Sequence, residues 1–223
     1  EFFLELFSEE IPSSLQKGLR ENLLDSFNKL FAEKSISFKK KLSYSTPNRL
    51  VIVFEGLQKK IVLKAEEIKG PNINAPEMAL EGFMRSNNII KKDFFKKKTD
   101  KGEFYFFKTK SQILNTHDLL EEFVPLVLQR IQWKKSMKWG EFDLNWGRPL
   151  KSILALFDKK KLNFNFHHLT SSNSTFIDKE FEEKRKIFTN FKDYNNFFKK
   201  INIIIDQNQR KNLIEKKLNE ITN

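Results

Sequence analysis

The stretch WKKSMKWGEFDLNWGRPLKSILALF, residues Trp133 to Phe157, contains all three tryptophans of the chain. Glycine follows two of them, at Trp139-Gly140 and Trp146-Gly147, and the second glycine leads into Arg148-Pro149. The apolar run from Ile153 to Phe157 then predicts a segment of the core. All three tryptophans, two of the seven glycines and one of the six prolines therefore fall within this one stretch.

Four cations lie in the first half of this stretch and at its Arg-Pro corner, at Lys134, Lys135, Lys138 and Arg148. Large aromatic side chains beside glycines and cations suit a surface that binds a planar or phosphate-bearing partner. On spacing alone, however, the commoner outcome is that the tryptophans cap a core and the lysines are solvated. The sequence leaves both interpretations open.

Length and composition describe a globular protein. The chain has 223 residues, of which 39% are hydrophobic and 31% charged, enough for one large domain or two small ones. No apolar run approaches the roughly 20 residues that span a bilayer, and Glu5 interrupts the apolar start, so no secretory segment is expected. With zero cysteines, disulfides and thiolate metal sites are excluded. A cytoplasmic protein without a membrane partner is the simplest expectation.

The net charge of +12 and the pI near 9.6 favour a polyanionic partner, nucleic acid first. Lysine, asparagine, isoleucine and phenylalanine are all abundant, however, and an AT-rich genome produces that composition without selection for binding. Charge therefore supports a nucleic-acid partner only modestly.

Hydrophobic periodicity predicts the first elements. Phe2–Phe7 is typical of a strand, and residues 13–33 of an amphipathic helix that Ser13 and Gln16 begin in a capping-box pattern. A turn at Thr46–Arg49 leads into a buried strand at Leu50–Phe54. Arg49 lies at the mouth of that strand, where it could contact either a phosphate or a nearby carboxylate.

Similar patterns continue to the end of the chain. Further helices are predicted at Ala75–Arg85, from Thr116 or Asp118 through Ile131, at Tyr194–Lys200 and from Asp206 onward. Further strands are predicted at Ser37–Ser45, Glu103–Lys110, Ser152–Phe157, Leu162–Leu169 and Ile201–Ile205, with breaks at Gly70-Pro71-Asn72, Thr99–Gly102 and Asp158–Lys161. Without strict βαβ alternation, these elements predict an α+β fold with mixed or antiparallel sheets and packed amphipathic helices.

No catalytic, cofactor or metal site is predicted. Phosphate-loop and dinucleotide fingerprints are absent, and Lys134–Lys138 only superficially resembles the lysine loop of class I synthetases. His117-Asp118 resembles a dipeptide of metal-dependent phosphohydrolases, but Asp118 is more simply a helix cap. His167 and His168, neighbours on a predicted strand, should point to opposite faces.

Several motifs together resemble one family, the N-terminal part of the bacterial glycyl-tRNA synthetase beta subunit. They fall in the family's order at Phe3–Pro12, Thr46–Leu50, Lys69–Pro71, Glu81–Phe83 with Arg85, Thr99–Phe104, Met137–Gly140, Arg148-Pro149 and the apolar run to Asp158. Each motif alone is weak, but in order across residues 3–158 they are specific. Residues 159–223 follow the family only in outline.

The resemblance implies a subunit of glycine–tRNA ligase without its own active site. A separate alpha subunit would activate glycine with ATP, and two beta subunits would complete a heterotetramer that charges tRNA. It also implies a region similar to the B3/B4 module of the phenylalanine enzyme. The expected organisation is an N-terminal α+β region at 1–150 and a continuation at 151–223 with a β-hairpin and a C-terminal helix, truncated before HD-like and anticodon-binding domains.

Two departures from the family are visible. Asp178-Lys179-Glu180-Phe181 stands where the family usually has Gly-His-Arg-Phe, and Asn48 stands where an arginine is common. Any ligand or tRNA role of the first motif is therefore in doubt here.

The resulting hypothesis is a non-catalytic module that supports tRNA binding and subunit assembly. The alternatives are a purely structural module that bridges subunits and a stand-alone RNA-binding protein. The predicted tRNA contacts are cations at turns or beside aromatics, which can reach phosphates without entering the core: Arg49, Lys69, Arg85, Lys101, Lys134, Lys135, Lys138 and Arg148. For each of them a structural role is an equal alternative, such as an ion pair of Arg148 at its corner.

Overall fold

The computed structural model describes residues 1–63, 65–100, 102–177 and 184–222. The chain divides into two compact units, the first made of residues 1–59 and 115–223 and the second of residues 60–114. No described helix combines the length and the apolar character that crossing a membrane requires.

The α-helices are α1 (Ser13–Glu33), α2 (Glu77–Asn87), α3 (Thr116–Gln129), α4 (Phe191–Lys200) and α5 (Gln207–Thr222). The first eight strands are β1 (Phe2–Ser8), β2 (Lys40–Thr46), β3 (Arg49–Glu55), β4 (Lys60–Leu63), β5 (Glu67–Asn72), β6 (Phe94–Thr99), β7 (Gly102–Lys108) and β8 (Gln112–Asn115). The later strands are β9 (Met137–Lys138), β10 (Asn145–Trp146), β11 (Leu150–Phe157), β12 (Lys160–Lys161), β13 (Asn165–Phe166), β14 (Leu169–Thr170), β15 (Ser174–Phe176) and β16 (Arg185–Ile187). This mixture of helices and antiparallel strands confirms the predicted α+β class.

A five-stranded sheet in the order β12-β11-β1-β3-β2 forms the centre of the first unit. In β1, Phe2 pairs with Phe157 of β11 on one side and with Phe54 of β3 on the other, both antiparallel. All seven residues of β1 are buried. A strand that is apolar on both faces needs a cover on each face.

Two helices cover those faces. Phe2 packs against Phe27 of α1, with ring centroids 5.2 Å apart, and its neighbour Phe3 packs at 5.0 Å against Tyr194 of α4. Successive side chains of a strand point to opposite faces, so α1 and α4 lie on opposite sides of the sheet. The predicted bounds of α1 are confirmed, and its buried stripe is Leu19, Leu23, Phe27 and Phe31.

The predicted capping box of α1 is wrong. Pro12 occupies the N-cap position, without a side-chain cap hydrogen bond. The Gln16 side chain instead donates to the carbonyl oxygen of Ile11 at 2.9 Å. At the last helix the prediction holds, because the Asp206 carboxylate accepts from the backbone N–H of Asn208 at 2.8 Å.

Two predicted strands are also wrong. Residues 201–205 form no strand, because Asn202 takes a left-handed conformation (φ 62°) and reverses the chain after α4. Ile205 still enters the core, but as a single residue. Leu162–Leu169 breaks into short pieces, with Phe166 and Leu169 paired across a tight turn at His167 and His168. The two histidines therefore lie in a turn and not along a strand.

The second unit is built on the sheet β5-β7-β6. Phe83 of α2 packs against it, with its ring centroid 5.9 Å from that of Phe107. The hairpin predicted after Thr99 is confirmed by the pairing of Thr99 with Gly102. The break predicted at Gly70-Pro71-Asn72 is a bulge inside β5, where the register with β7 shifts between Lys69 and Asn72.

The predicted division of the chain at residue 150 stays a prediction. In the structure Leu150 begins β11, and β11 pairs with β1. Residues on both sides of that division therefore build one sheet.

Candidate nucleic-acid interface

The tryptophan segment, residues 133–148, follows α3 in the first unit. Its two short strands β9 and β10 pair antiparallel, with Lys138 opposite Asn145 and Met137 opposite Trp146. The Trp139 indole N–H donates to the carbonyl oxygen of Trp146 at 2.9 Å. This hairpin fixes the backbone at Lys138, and the other three predicted cations of the segment lie just before and after it.

Trp146 is the anchor of the segment and is only 2% exposed. Its ring lies 5.0 Å from that of Trp133 and 5.6 Å from that of Phe166, centroid to centroid. The interpretation that the tryptophans cap a core therefore holds for Trp146, while Trp133 and Trp139 remain half-buried.

Gly147 allows the ring of Trp133 to lie directly on the backbone. A Cβ atom at Gly147 would come within 1.9 Å of Cε3 and 2.4 Å of Cζ3 of Trp133. Carbon atoms that are not bonded to each other do not approach so closely, so a side chain at residue 147 would displace the indole of Trp133. The second Trp-Gly pair is explained by this contact and not by a left-handed turn.

The structure places the cations of the segment at the surface. Lys134 and Lys135 are exposed, and Arg148 is half-buried without an ion pair among the described residues. Lys138 lies 2.9 Å from the Asp143 carboxylate, and the hydrogen bond from Lys138 lowers the pKa of Asp143. Because both side chains are mostly exposed, the Lys138 ammonium can exchange this carboxylate for another anion at little cost.

Phe142, in the same segment, has a partly exposed aromatic ring. It is 48% exposed and stacks on His168, with ring centroids 3.7 Å apart and planes 10° from parallel. Sequence reasoning missed this pair, because nothing local places the loop before β10 beside the turn before β14. An exposed ring in a segment that also carries cations suits single-stranded nucleic acid, whose bases stack on aromatic side chains.

The stacked histidine should be harder to protonate than free histidine. Burial, followed by the charge of His167, lowers the pKa of His168 below its ordinary value of 6.5. The unfolded chain then binds a proton more readily, so the stability contribution of His168 is complete above pH 6.5 and decreases as the pH falls below it. We expect an NMR titration of the His168 ring to give a midpoint below 6.5; a midpoint at or above 6.5 would contradict the lowering by burial and His167.

A groove of about 340 Å³ lies beside the segment. Its lining combines one side of α1 with the start of the tryptophan segment: Ser14, Leu15, Gly18, Leu19, Asn22, Gln132, Trp133 and Lys134. None of these eight described residues carries a carboxylate. Such a volume lies at the small end of the range for ligand pockets.

Arg49 is the one predicted phosphate contact that the structure contradicts. Its side chain is only 4% exposed and forms an ion pair with the fully buried carboxylate of Glu5. The guanidinium also donates to the Phe176 carbonyl oxygen at 2.5 Å and lies over the rings of Phe7 and Phe198, at 4.5 and 4.4 Å. The alternative of a carboxylate partner is therefore the correct one. Burial lowers the pKa of Arg49, but the charges and hydrogen bonds of Glu5 and Tyr194 together outweigh burial, and the net pKa is raised.

The other predicted cations belong to the second unit. Lys69 is exposed, with its ammonium 3.4 Å from the centroid of the Phe104 ring. Arg85 is exposed near the end of α2. Lys101 lies outside the described residues, as does the departure at Asp178–Phe181. Their proposed contacts with tRNA stay predictions.

Two further positions have a structural explanation. The amide of Asn48 donates to the Ser8 carbonyl oxygen at 3.2 Å and so ties the turn before β3 to β1. His117 lies 3.7 Å from a carboxylate oxygen of Asp118 and 3.7 Å from one of Glu121. These three groups could hold a metal ion, and the sequence interpretation did not include Glu121. The Glu121 oxygen, however, already accepts from the backbone N–H of Asn163 at 2.6 Å.

Known proteins resemble the chain over its whole length. A family model described as "Glycyl-tRNA synthetase beta subunit" matches residues 2–223. The glycine–tRNA ligase beta subunit of Rickettsia akari (strain Hartford) is 35% identical over 223 residues, which cover 100% of this chain and 34% of that protein. Its counterparts in Rickettsia peacockii (strain Rustic) and Rickettsia prowazekii (strain Madrid E) are each 36% identical over 100% of this chain and 33% of their own length. The chain thus spans about a third of the length of the curated relatives it matches.

Proposed function

Because the chain belongs to the glycyl-tRNA synthetase beta subunit family, we propose that it is a non-catalytic part of a glycine–tRNA ligase that docks tRNA and supports subunit assembly. The family match over residues 2–223 carries this proposal. The expected partners are the alpha subunit, which would use ATP to activate glycine, a second beta subunit in a heterotetramer, and tRNA. We place this activity in the cytoplasm, and we extend the proposal to a B3/B4-like portion of the fold.

The tryptophan segment is our first choice for the tRNA contact. It holds four of the predicted cations, Lys134, Lys135, Lys138 and Arg148, together with the exposed ring of Phe142. Cations supply affinity for phosphates, and an exposed ring supplies stacking to unpaired bases. Lys69, Arg85 and Lys101 remain secondary candidates, and Arg49 is withdrawn because it is buried in an ion pair.

We expect tRNA affinity to fall steeply with salt and to depend on the lysines of this segment. When the logarithm of the tRNA association constant is plotted against the logarithm of the salt concentration, each phosphate contact contributes about −0.7 to −0.9 to the slope. The triple variant Lys134→Gln, Lys135→Gln and Lys138→Gln should therefore flatten the slope by about two to three. Fluorescence anisotropy with labelled tRNA over a salt series measures both quantities.

A matched control removes the same charge elsewhere. Lys211→Gln, Lys216→Gln and Lys217→Gln change three exposed lysines of α5 and should leave the slope almost unchanged. An equal effect in both triple variants would mean that only the net charge matters. Absence of detectable tRNA binding by the parent chain would favour the alternative function, a module that only bridges subunits.

A further inference from the structure

We propose that the groove between α1 and residues 132–134 binds one unpaired nucleotide of an RNA. This inference rests on the proposed function, because it assigns to one place in the molecule a contact with the RNA partner. It adds a recognition site to the phosphate contacts, which by themselves carry no sequence information.

The shape of the groove sets the size of its occupant. Its volume of about 340 Å³ suits one nucleoside, and a base-paired helix is too wide to enter. The wall of the groove is open at Gly18, which lies in the N-terminal part of α1 and has no atom within 4 Å of the position that a Cβ would take. A groove this narrow therefore selects a nucleotide that has left its helix.

The chemistry of the lining matches the parts of a nucleotide. Leu15, Leu19 and Trp133 offer apolar and aromatic surface for the faces of a base. Ser14, Asn22 and Gln132 supply donors and acceptors that can address its polar edge. Specific recognition of single-stranded RNA combines these two kinds of contact.

Charge favours RNA over an acidic or neutral peptide segment. Lys134 lies in the lining, Lys135 is exposed next to it, and none of the described lining residues carries a carboxylate. A phosphate in the groove would therefore meet a cation and no carboxylate of the lining. The excess positive charge of the chain, +12, attracts the same class of partner.

The open wall at Gly18 makes the groove testable without damage to the fold. Gly18→Gln places a neutral side chain in the groove, and glutamine is a better helix former than glycine, so the melting temperature should not fall. Gly82→Gln is the matched control, because Gly82 is also helical and also has no atom within 4 Å of its added Cβ. We expect Gly18→Gln to weaken binding of a fluorescein-labelled single-stranded hexaribonucleotide by about tenfold, the loss that removal of one stacked base produces. Gly82→Gln should bind like the parent chain.

The inference is overturned if the parent chain does not bind the hexanucleotide, or if Gly18→Gln binds it as tightly as the parent or no more weakly than Gly82→Gln does. It is also overturned if Gly18→Gln keeps RNA affinity but loses association with the alpha subunit, because the groove would then hold a protein segment. If the chain binds whole tRNA in a salt-dependent way and Gly18→Gln leaves hexanucleotide affinity unchanged, the groove is rejected and the proposed function is kept. If Gly18→Gln loses hexanucleotide binding but the parent chain does not bind tRNA, the proposed function is rejected and the groove is kept.

Discussion

Arg49→Met should destabilise the protein by about 3–5 kcal/mol in urea unfolding. The substitution leaves the carboxylate of Glu5 fully buried without the cation that compensates it, and removal of one partner of a buried ion pair has a cost of this size. The second carboxylate oxygen of Glu5 has no hydrogen-bond partner among the described residues, and Arg49 is the only cation among them that forms an ion pair with Glu5. Methionine keeps much of the side-chain volume between the flanking rings, which limits the contribution of lost packing.

The double variant Glu5→Gln, Arg49→Met should be markedly more stable than Arg49→Met alone, because it removes both buried charges. An exposed pair provides the control: Lys59 lies 2.6 Å from Asp158, with 69% and 45% of the two side chains exposed. Lys59→Met should cost less than about 1 kcal/mol. If Arg49→Met cost no more than Lys59→Met, the Glu5–Arg49 pair would not be buried as described.

Gly147→Ala should cost about 2–3 kcal/mol, although it adds a single methyl group. The new Cβ would overlap the indole of Trp133, with 1.9 Å to Cε3 and 2.6 Å to Cδ2. Trp133 is held against Trp146, so the overlap must be relieved by movement of a packed ring or of the backbone. Overpacking of this kind typically costs 1–3 kcal/mol, and thermal or urea unfolding measures it.

Two further variants test whether the cost of Gly147→Ala comes from the overlap with the Trp133 indole. Gly82→Ala adds the same methyl group where no atom lies within 4 Å, and it should stabilise the protein slightly because alanine favours the helix. In a Trp133→Ala background the cost of Gly147→Ala should fall below about 1 kcal/mol, because the overlapping ring is absent. A full cost in that background would place the effect in the backbone of residue 147 instead.

The sequence predicted best those elements whose signal is local. The strand at β1, the helix α1 and the strand at β3 follow from hydrophobic periodicity, and the structure confirms them within a residue or two. The prediction of a strand at residues 201–205 was wrong, because the sequence of an apolar run is the same whether the run pairs in a sheet or only places Ile205 in the core. Periodicity cannot show that Asn202 reverses the chain.

Only some features of the candidate interface could be predicted from the sequence. The exposed lysines of the tryptophan segment followed from the sequence, because lysine is rarely buried. The partner of Arg49 did not, since Glu5 lies 44 positions away and reaches it only through the pairing of β1 with β3. The groove could not be predicted from the sequence either, because it forms only where α1 meets residues 132–134.

The position of β1 in the middle of its sheet has a consequence during synthesis on the ribosome. Phe2 pairs with Phe157, and at roughly 5–20 residues per second the ribosome makes this partner roughly 8–30 s after β1. Until then one edge of this buried, largely apolar strand lacks its neighbour, while residues 60–114 have already been made. The nascent chain therefore passes through a period in which this edge of β1 is open to pairing with another chain, and protection by chaperones would be most useful in that period.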